Sequence, residues 1–203
     1  MRNMPMSKMV KYIKQNYRNG LNPLYNCILF WRRHVSLNGK VKIRGRIVCK
    51  RNGNGKIVFG KDCVINSAKW ANIIGGDTRT AFIVNNGAVI RIGNNVGISN
   101  STLVASKEIV IEDNVMIGGN CKIYDTDFHS IDYQQRMEKP DTHIKKAPIL
   151  IKKGAFIGAH SIILKGVTIG EKSVIGAGSV VTKSVPDNEI WAGNPAHFIR
   201  KVK

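Results

Sequence analysis

Acidic residues are scarce in this chain of 203 residues, and they are missing from its N-terminal part. Residues 1–56 contain 14 Lys and Arg with no Asp or Glu, whereas the other 147 residues contain 18 basic and 13 acidic ones. The formal net charge of +19 is therefore concentrated near the N-terminus. The sequence also lacks a helix-turn-helix, RNA-recognition or zinc-finger pattern, so we expect no nucleic-acid partner.

Close cysteine pairs and long apolar runs are lacking as well. The cysteines are Cys27, Cys49, Cys63 and Cys121. Their spacing fits neither metal ligands nor a redox pair, so we expect reduced core thiols. No apolar run reaches the roughly 18 residues that a membrane span needs. The run 24–31 is too short and too far along the chain for a signal peptide, and we expect a cytoplasmic protein.

The feature that is present is a six-residue repeat from Ile151 to Val185. The first position of each hexad is aliphatic: Ile151, Ile157, Ile163, Ile169, Ile175 and Val181. The fifth position is small: Ala155, Ser161, Val167, Ser173, Ser179 and Val185. A chain that turns a corner every six residues points both positions inward and buries its core by stacking coils. The pattern predicts an all-β solenoid, a parallel β-helix, because ordinary strands with glycine turns would show period two.

The repeat recurs upstream with small register slips. Its aliphatic positions there are Ile65, Ile92, Ile98, Val104, Ile111, Ile117 and Ile123. We therefore predict one β-helix domain over residues 39–203, preceded by a basic amphipathic segment over residues 1–38.

Helical spacing of apolar residues marks the N-terminal segment: Met6, Met9, Val10, Ile13 and Tyr17. Ser7 is suited to begin this helix and Gly20 to end it, while lysines occupy much of the remaining helix surface. A basic amphipathic helix favours an anionic membrane surface. The alternative, which is compatible with the first, is a helix that packs its apolar stripe over the end of the β-helix and caps the exposed last coil.

The repeat breaks after Ile123 and resumes near Ala147, which predicts a long loop over about 124–147. Loops on rigid scaffolds often carry catalytic groups, and His129 lies at the root of this one. An imidazole can remove a proton from a hydroxyl near neutral pH, and a neighbouring carboxylate can hold its tautomer. The candidates for that carboxylate are Asp125, Asp127 and Asp132. From the residues alone, a structural loop histidine is an equal alternative.

The C-terminal exit, residues 176–196, is rich in small residues and offers a shallow face for a thin ligand. Asn194 and Pro195 are typical of a helix start, so we predict a short helix over about 195–203. Its basic residues and Lys183 suit phosphate groups, although a solvated basic terminus would have the same composition.

Taken together, the hexads, the segment Asp125–Ser130 and the exit Ala192–Ala196 resemble the hexapeptide-repeat sugar O-acetyltransferases. The similarity is to galactoside acetyltransferase and to the O-acetyltransferases of capsule and lipopolysaccharide synthesis. The resemblance implies a left-handed coil, a homotrimer with clefts between subunits, and acetyl-CoA as co-substrate without a metal. It implies a sugar or glycan-precursor acceptor and direct attack on the thioester, with His129 as the general base.

Site residues follow from the same resemblance. Asn100, Asp125 and Asp127 are expected beside the acceptor, and Phe156 replaces a tryptophan that many members place beside the cofactor. The remaining expected cofactor contacts are Ala159, Gly176, Ala177, Thr182, Lys183, Ala192, Gly193 and Arg200. Two departures stand out: Ser130 replaces a proline after the histidine, and Ser106 replaces an acceptor-binding aspartate.

Two other classes remain as alternatives. A gamma-type carbonic anhydrase would need three histidines on zinc, two of them close in sequence, whereas His129, His143 and His160 are 14 and 17 residues apart. A structural β-solenoid would not require the loop histidine, and it would not bind coenzyme A.

Overall fold

The computed structural model describes residues 19–203, in which short strands wind into a solenoid. Helix α1 spans Asn22–Arg32, a 3-10 helix spans Ile73–Gly75 and helix α2 spans Tyr133–Met137. The strands are β1 Ser36–Leu37, β2 Val41–Gly45, β3 Val48–Arg51, β4 Lys56–Phe59, β5 Cys63–Ser67, β6 Ala81–Val84, β7 Val89–Ile92, β8 Gly97–Ser99, β9 Thr102–Ala105, β10 Glu108–Ile111, β11 Met116–Gly119, β12 Lys122–Tyr124, β13 Ile149–Ile151, β14 Phe156–Ile157, β15 Ile162–Ile163, β16 Thr168–Ile169, β17 Val174–Ile175, β18 Val180–Val181, β19 Glu189–Gly193 and β20 Ala196–Lys201.

Every third strand joins the same sheet, so the coil has three faces. Sheet A is ordered β1-β4-β7-β10-β13-β16, sheet B begins β2-β5-β8-β11-β14-β17, and sheet C contains β3-β6-β9-β12-β15-β18. Neighbouring strands within these orders pair in parallel. The chain thus turns from A to B, from B to C and from C back to A, and these turns are called the A–B, B–C and C–A corners. The predicted parallel β-helix is confirmed.

The core lies inside the coil and is built from the two repeat positions that the sequence singled out. All six aliphatic positions between Ile151 and Val181 are fully buried, and the small positions between them are buried as well. The small positions that are serines also hold the corners. Ser179 donates to the carbonyl of Gly176 at 2.6 Å and accepts from the amide of Gly193 at 3.1 Å.

Helix α1 lies against the first coils. The ring of Phe30 packs on that of Phe59 with centroids 5.7 Å apart, and Asn26 hydrogen-bonds the backbone of Gly45 and Ile47. The helix predicted between Ser7 and Gly20 lies almost entirely outside the described residues. Within residues 19–203, no helix is long and apolar enough to cross a membrane.

Two excursions leave the coil. The predicted one, residues 125–147, departs from the C–A corner after β12 and contains α2. A second excursion, residues 68–80, departs from the B–C corner after β5 and was not predicted. It folds back over that corner, where a Cβ added to Gly119 would lie 2.7 Å from the Cα of Gly75.

The short C-terminal helix predicted over 195–203 is wrong. These residues form β20, which pairs antiparallel with β19 and extends sheet B. Eight or nine residues form only a marginal helix without packing, whereas an open strand edge offers them a complete hydrogen-bond ladder. Asn194 and Pro195 occupy the tight turn, which begins at Gly193 with a φ of +106°.

All four cysteines are free. Cys49, Cys63 and Cys121 are buried as predicted, and burial raises the pKa of the Cys49 thiol to about 11. Cys27 differs from the prediction because it lies exposed on α1.

Candidate active site

The loop 125–147 is anchored at its root by backbone hydrogen bonds between its two ends. The amide of Asp127 donates to the carbonyl of Lys145 at 3.1 Å, and the amide of Ala147 donates to the carbonyl of Asp125 at 3.0 Å. Thr126 and Lys146 form an antiparallel bridge at the same place. His129 therefore follows a fixed root by two residues, as the sequence predicted.

The imidazole of His129 is open to solvent and has one carboxylate beside it. Its side chain is 75% exposed, and its Nδ1 lies 3.7 Å from Oδ2 of Asp141, a side chain that is only 13% exposed. A carboxylate at Nδ1 favours the tautomer with its proton on that nitrogen, which leaves Nε2 as the basic atom. The geometry suits a general base that faces a substrate.

Ser130 holds Asp141 in this position. Its amide donates to Oδ2 at 2.8 Å and its hydroxyl donates to Oδ1. The hydroxyl of Ser130, followed by its amide, lowers the pKa of Asp141 and keeps the carboxyl ionised. A proline at this position would supply neither donor. The departure from the family pattern at Ser130 is thus accompanied by a specific contact to the carboxylate.

Helix α2 braces the same turn. Arg136 donates from one guanidinium nitrogen to the carbonyls of Ser130 and Ile131, both at 2.9 Å. The carboxylate of Asp132 caps the helix by accepting from the amide of Gln135 at 3.0 Å. The residue after His129 is therefore held from two sides.

None of the three carboxylates proposed from the sequence lies in this position. Asp125 is fully buried and accepts from the amides of Ser106, Lys107 and Glu108. Its carboxylate therefore stabilises the backbone of this segment and does not contact an acceptor. The amide of Ser106, the second departure from the family pattern, is one of these three donors. Asp132 caps α2.

Asp127 pairs with the ammonium group of Lys165 at 2.6 Å. Its other oxygen, Oδ2, is buried without a hydrogen-bond partner in the described residues. The ion pair ties the loop root to the following coil, between β15 and β16. Asp127 therefore lies close to the candidate base in sequence, while its charge is directed to the scaffold.

Asn100 lies at the B–C corner beneath the excursion 68–80. Its side chain is fully buried and donates to the carbonyl of Thr78 at 2.6 Å, while its Oδ1 has no partner in the described residues. Gly75 packs so closely on it that an added Cβ would lie 2.5 Å from the Cβ of Asn100. Contact of Asn100 with an acceptor, as the resemblance implied, would require the excursion to move.

Five of the predicted cofactor residues gather along the B–C corner: Ala159, Gly176, Ala177, Ala192 and Gly193. Successive coils touch there through backbone. A Cβ added to Gly118 would lie 2.6 Å from the amide of Ala159, and one added to Gly158 would lie 2.5 Å from the amide of Ala177. The corner is a smooth edge of small residues, and a thin chain could lie along it.

The other cofactor candidates are placed elsewhere. Phe156 is partly exposed on sheet B, next to a groove of about 430 Å³ that also borders Ser99 and Met116. Thr182 and Lys183 follow β18 and lie at the C–A corner, whereas Arg200 lies on β20 at the edge of sheet B. Within one chain, Thr182 and Lys183 thus lie apart from Arg200.

Histidines do not cluster. His129, His143 and His160 have different neighbours: Asp141, Glu138 and Asn120. Within residues 19–203, no group of three or more His, Cys, Asp or Glu side chains is placed to hold a metal ion.

Comparisons with known proteins agree with this architecture. The family model described as "Hexapeptide repeat of succinyl-transferase" matches residues 108–123 and 148–183. These two segments are therefore similar to hexapeptide-repeat proteins. Galactoside O-acetyltransferase of Escherichia coli (strain K12) is 39% identical over 117 residues, which cover 57% of this chain and 56% of that protein. The aligned part thus covers little more than half of this relative.

Solved structures extend the likeness to more of the chain. The chain matches the polySia specific acetyltransferase NeuO with a TM-score of 0.54 and 26% identity, over 81% of this chain and 72% of that one. It matches galactoside acetyltransferase in complex with coenzyme A with a TM-score of 0.55, over 99% of this chain and 92% of that one. At 23% identity, the second match shows the shared fold alone. The resemblance inferred from the sequence is confirmed.

Asp141 is a residue that the sequence interpretation missed, and its role is open to test. Asp141→Asn keeps the shape of the side chain but removes the charge beside Nδ1 of His129. We expect kcat to fall about tenfold, at most a hundredfold, with little change in the KM for acetyl-CoA. Steady-state kinetics measure both constants, and Glu138→Gln beside His143 in the same loop is the matched control. A KM effect without a kcat effect would contradict the positioning role.

Proposed function

We propose that this protein transfers the acetyl group of acetyl-CoA to a hydroxyl of a sugar or surface-polysaccharide precursor. The observation that carries the proposal is the exposed imidazole of His129, which follows an anchored loop root and has a carboxylate oxygen of Asp141 3.7 Å from its Nδ1. The acetyltransferases among its relatives support the type of reaction.

In the proposed reaction, Nε2 of His129 takes the proton of the acceptor hydroxyl as that oxygen attacks the thioester carbonyl carbon. The new C–O bond forms and the C–S bond breaks. The thiolate of coenzyme A leaves and receives the proton from the imidazolium. The charge of Asp141 stabilises that imidazolium while it exists, and no acetyl-enzyme is needed.

We also propose that the working form is a homotrimer with the site between two subunits. In one chain His129 projects from the C–A corner, whereas the smooth edge of small residues follows the B–C corner. A three-sided coil offers flat faces that can pack around a threefold axis, and closed symmetry is usual for such assemblies. Packing of that kind would let the base of one subunit face the edge of its neighbour.

The acceptor class is the finer part of the proposal. The structural relative NeuO is a polySia specific acetyltransferase, which supports a surface glycan or its precursor as the acceptor for this chain. We place the reaction at the cytoplasmic face of a membrane, where lipid-linked precursors are assembled. The basic segment before Lys61, which contains no acidic residue, is the part of the chain that would provide this location.

The test is free-thiol release from acetyl-CoA in the presence of four acceptor types: a free sugar, a nucleotide sugar, a lipid-linked oligosaccharide and a finished polymer. Because Cys27 is exposed, the assay uses Cys27→Ser to remove the protein's own reactive thiol. We expect one acceptor type to raise thiol release well above the rate with water alone. A chain that neither binds coenzyme A nor responds to any acceptor would be a structural solenoid.

A further inference from the structure

Helix α1 packs one face on the coil and exposes large apolar residues on the opposite face. At 100° per residue, Leu24, Ile28 and Trp31 form a stripe on one side of the helix, opposite Asn26 and Phe30, and Leu21, the residue just before the helix, continues the stripe. Asn26 and Phe30 are buried against the first coils, whereas the four stripe residues are exposed, Leu21 by 74% and Trp31 by 78%. These four residues are called the α1 stripe.

The position of the α1 stripe is fixed by the contacts on the opposite face. Asn26 donates to the carbonyl of Gly45 at 2.8 Å and accepts from the amide of Ile47 at 3.2 Å. Arg46 donates to the side chain of Asn22 at 2.9 Å and lies over the ring of Tyr25. Because these bonds set the rotation of the helix, the stripe faces away from the coil.

Apolar surface continues beside the helix. A groove of about 460 Å³ opens next to the stripe and is lined by Cys27, Phe30, Val35, Leu37 and Val41, among others. Large exposed apolar residues arranged on one face of a helix are typical of an interaction surface. The stripe and groove together make such a surface at the first coil of the solenoid.

The charge of the chain segment that carries this surface has one sign. Residues 19–56 contain nine Lys and Arg and no acidic residue. Arg32 and Arg33 end the helix and are exposed, and Lys40 and Lys42 are exposed on the segment that begins the coil. Among all described residues before Lys61, no carboxylate side chain is present to neutralise them.

We propose that the α1 stripe, with Arg32, Arg33, Lys40 and Lys42, docks this protein onto an anionic lipid bilayer. The apolar side chains insert at the boundary of headgroups and acyl chains, and the basic residues contact lipid phosphates and carboxylates. Both features are needed for stable attachment, because either one alone gives marginal binding. Docking at this surface would give the proposed function its location. Binding to vesicles is measured separately from acetyl transfer.

Sedimentation of the full chain with vesicles tests the proposal. We expect strong binding to vesicles that contain phosphatidylglycerol and little binding to pure phosphatidylcholine. Arg32→Gln with Arg33→Gln should weaken the binding about 30-fold, since each basic residue near the surface contributes roughly fivefold. The matched control is Lys201→Gln with Lys203→Gln at the other end of the solenoid, which should bind normally. Raising the salt concentration should also weaken the attachment.

Tryptophan fluorescence tests the apolar part. Emission should shift to shorter wavelength when anionic vesicles are added, and Trp31→Phe should abolish the shift while Trp70→Phe keeps it. Leu24→Ser with Ile28→Ser should reduce binding, whereas Phe198→Ser with Ile199→Ser, which are also exposed, should not. Equal binding to both vesicle types, or no binding, overturns the proposal. So does a stripe variant that changes the oligomeric state while vesicle binding stays intact, because the stripe would then be a contact between subunits.

Discussion

Replacement of His129 by alanine is expected to lower turnover with acetyl-CoA and its acceptor by about 100- to 10,000-fold. The acceptor hydroxyl would then have to lose its proton to water as it attacks. Affinity for coenzyme A should stay within a few fold of the parent, because the imidazole is not among the residues of the B–C corner. Thiol-release kinetics measure turnover, and calorimetry with coenzyme A measures binding.

His143→Ala is the matched control for this experiment. His143 lies in the same loop, is exposed, and has its own carboxylate neighbour, with 3.3 Å between its Nδ1 and Oε2 of Glu138. The control should keep near-full activity and the same melting temperature. If His129→Ala turned over at the parent rate on its true acceptor, His129 would be a structural loop residue.

Much of the coil could be predicted because its physics is local and repeated. Each strand contributes one aliphatic and one small residue to the same two places, so Ile157 or Ser179 follows a rule that its neighbours also obey. Period six leaves no alternative register that buries all of these residues. The predicted core positions from Ile151 to Val185 are buried for that reason.

The ends of the coil follow no such rule. Asn194-Pro195 has the composition of a helix start, but the free edge of sheet B lies beside it and the chain pairs with that edge. Strand pairing depends on a neighbour that is set by the fold, and short helix signals cannot compete with it. In the sequence, the only sign of the excursion 68–80 was that the aliphatic hexad positions are interrupted between Ser67 and Ala81.

The partner of His129 could not be found by distance along the chain. Asp125, Asp127 and Asp132 are nearer in sequence than Asp141, yet each is engaged in another contact. Asp141 reaches the imidazole because the loop folds back and Ser130 binds its carboxylate. The one available signal was Ser130 itself, since a hydroxyl where relatives have proline indicates an additional hydrogen bond.

The largest gap between sequence and structure concerns the site as a whole. The order of residues along the chain does not show that the candidate base and the edge of small residues lie at different corners of the coil. In the structure they do, as the positions of His129 and Ala177 illustrate. If both parts belong to one active site, they have to come from two subunits. An experiment with mixed subunits can therefore measure how many subunits contribute to a site.

Two inactive variants are expected to restore activity to each other when their subunits are mixed. His129→Ala lacks the base, and Ala177→Trp fills the exposed B–C corner with an indole while leaving the core untouched. If each site takes its base from one subunit and its edge from the next, random 1:1 assembly leaves about one quarter of the sites with both parts intact. Co-expression followed by thiol-release assay should therefore recover about a quarter of the parent turnover.

The decisive comparison is with the double variant. Subunits that carry both His129→Ala and Ala177→Trp have no intact part to contribute, so co-expression with either single variant should stay inactive. Pure single-variant trimers mixed without subunit exchange should stay inactive too, which shows that recovery needs mixed assembly. Light scattering should give a mass of three chains for every preparation. A fully active species of one chain, about 22.5 kDa, or mixed trimers without recovered activity would mean that a single subunit holds the whole site. Recovered activity would mean that the protein is active only as an assembly, because the C–A corner and the B–C corner of one subunit do not face each other.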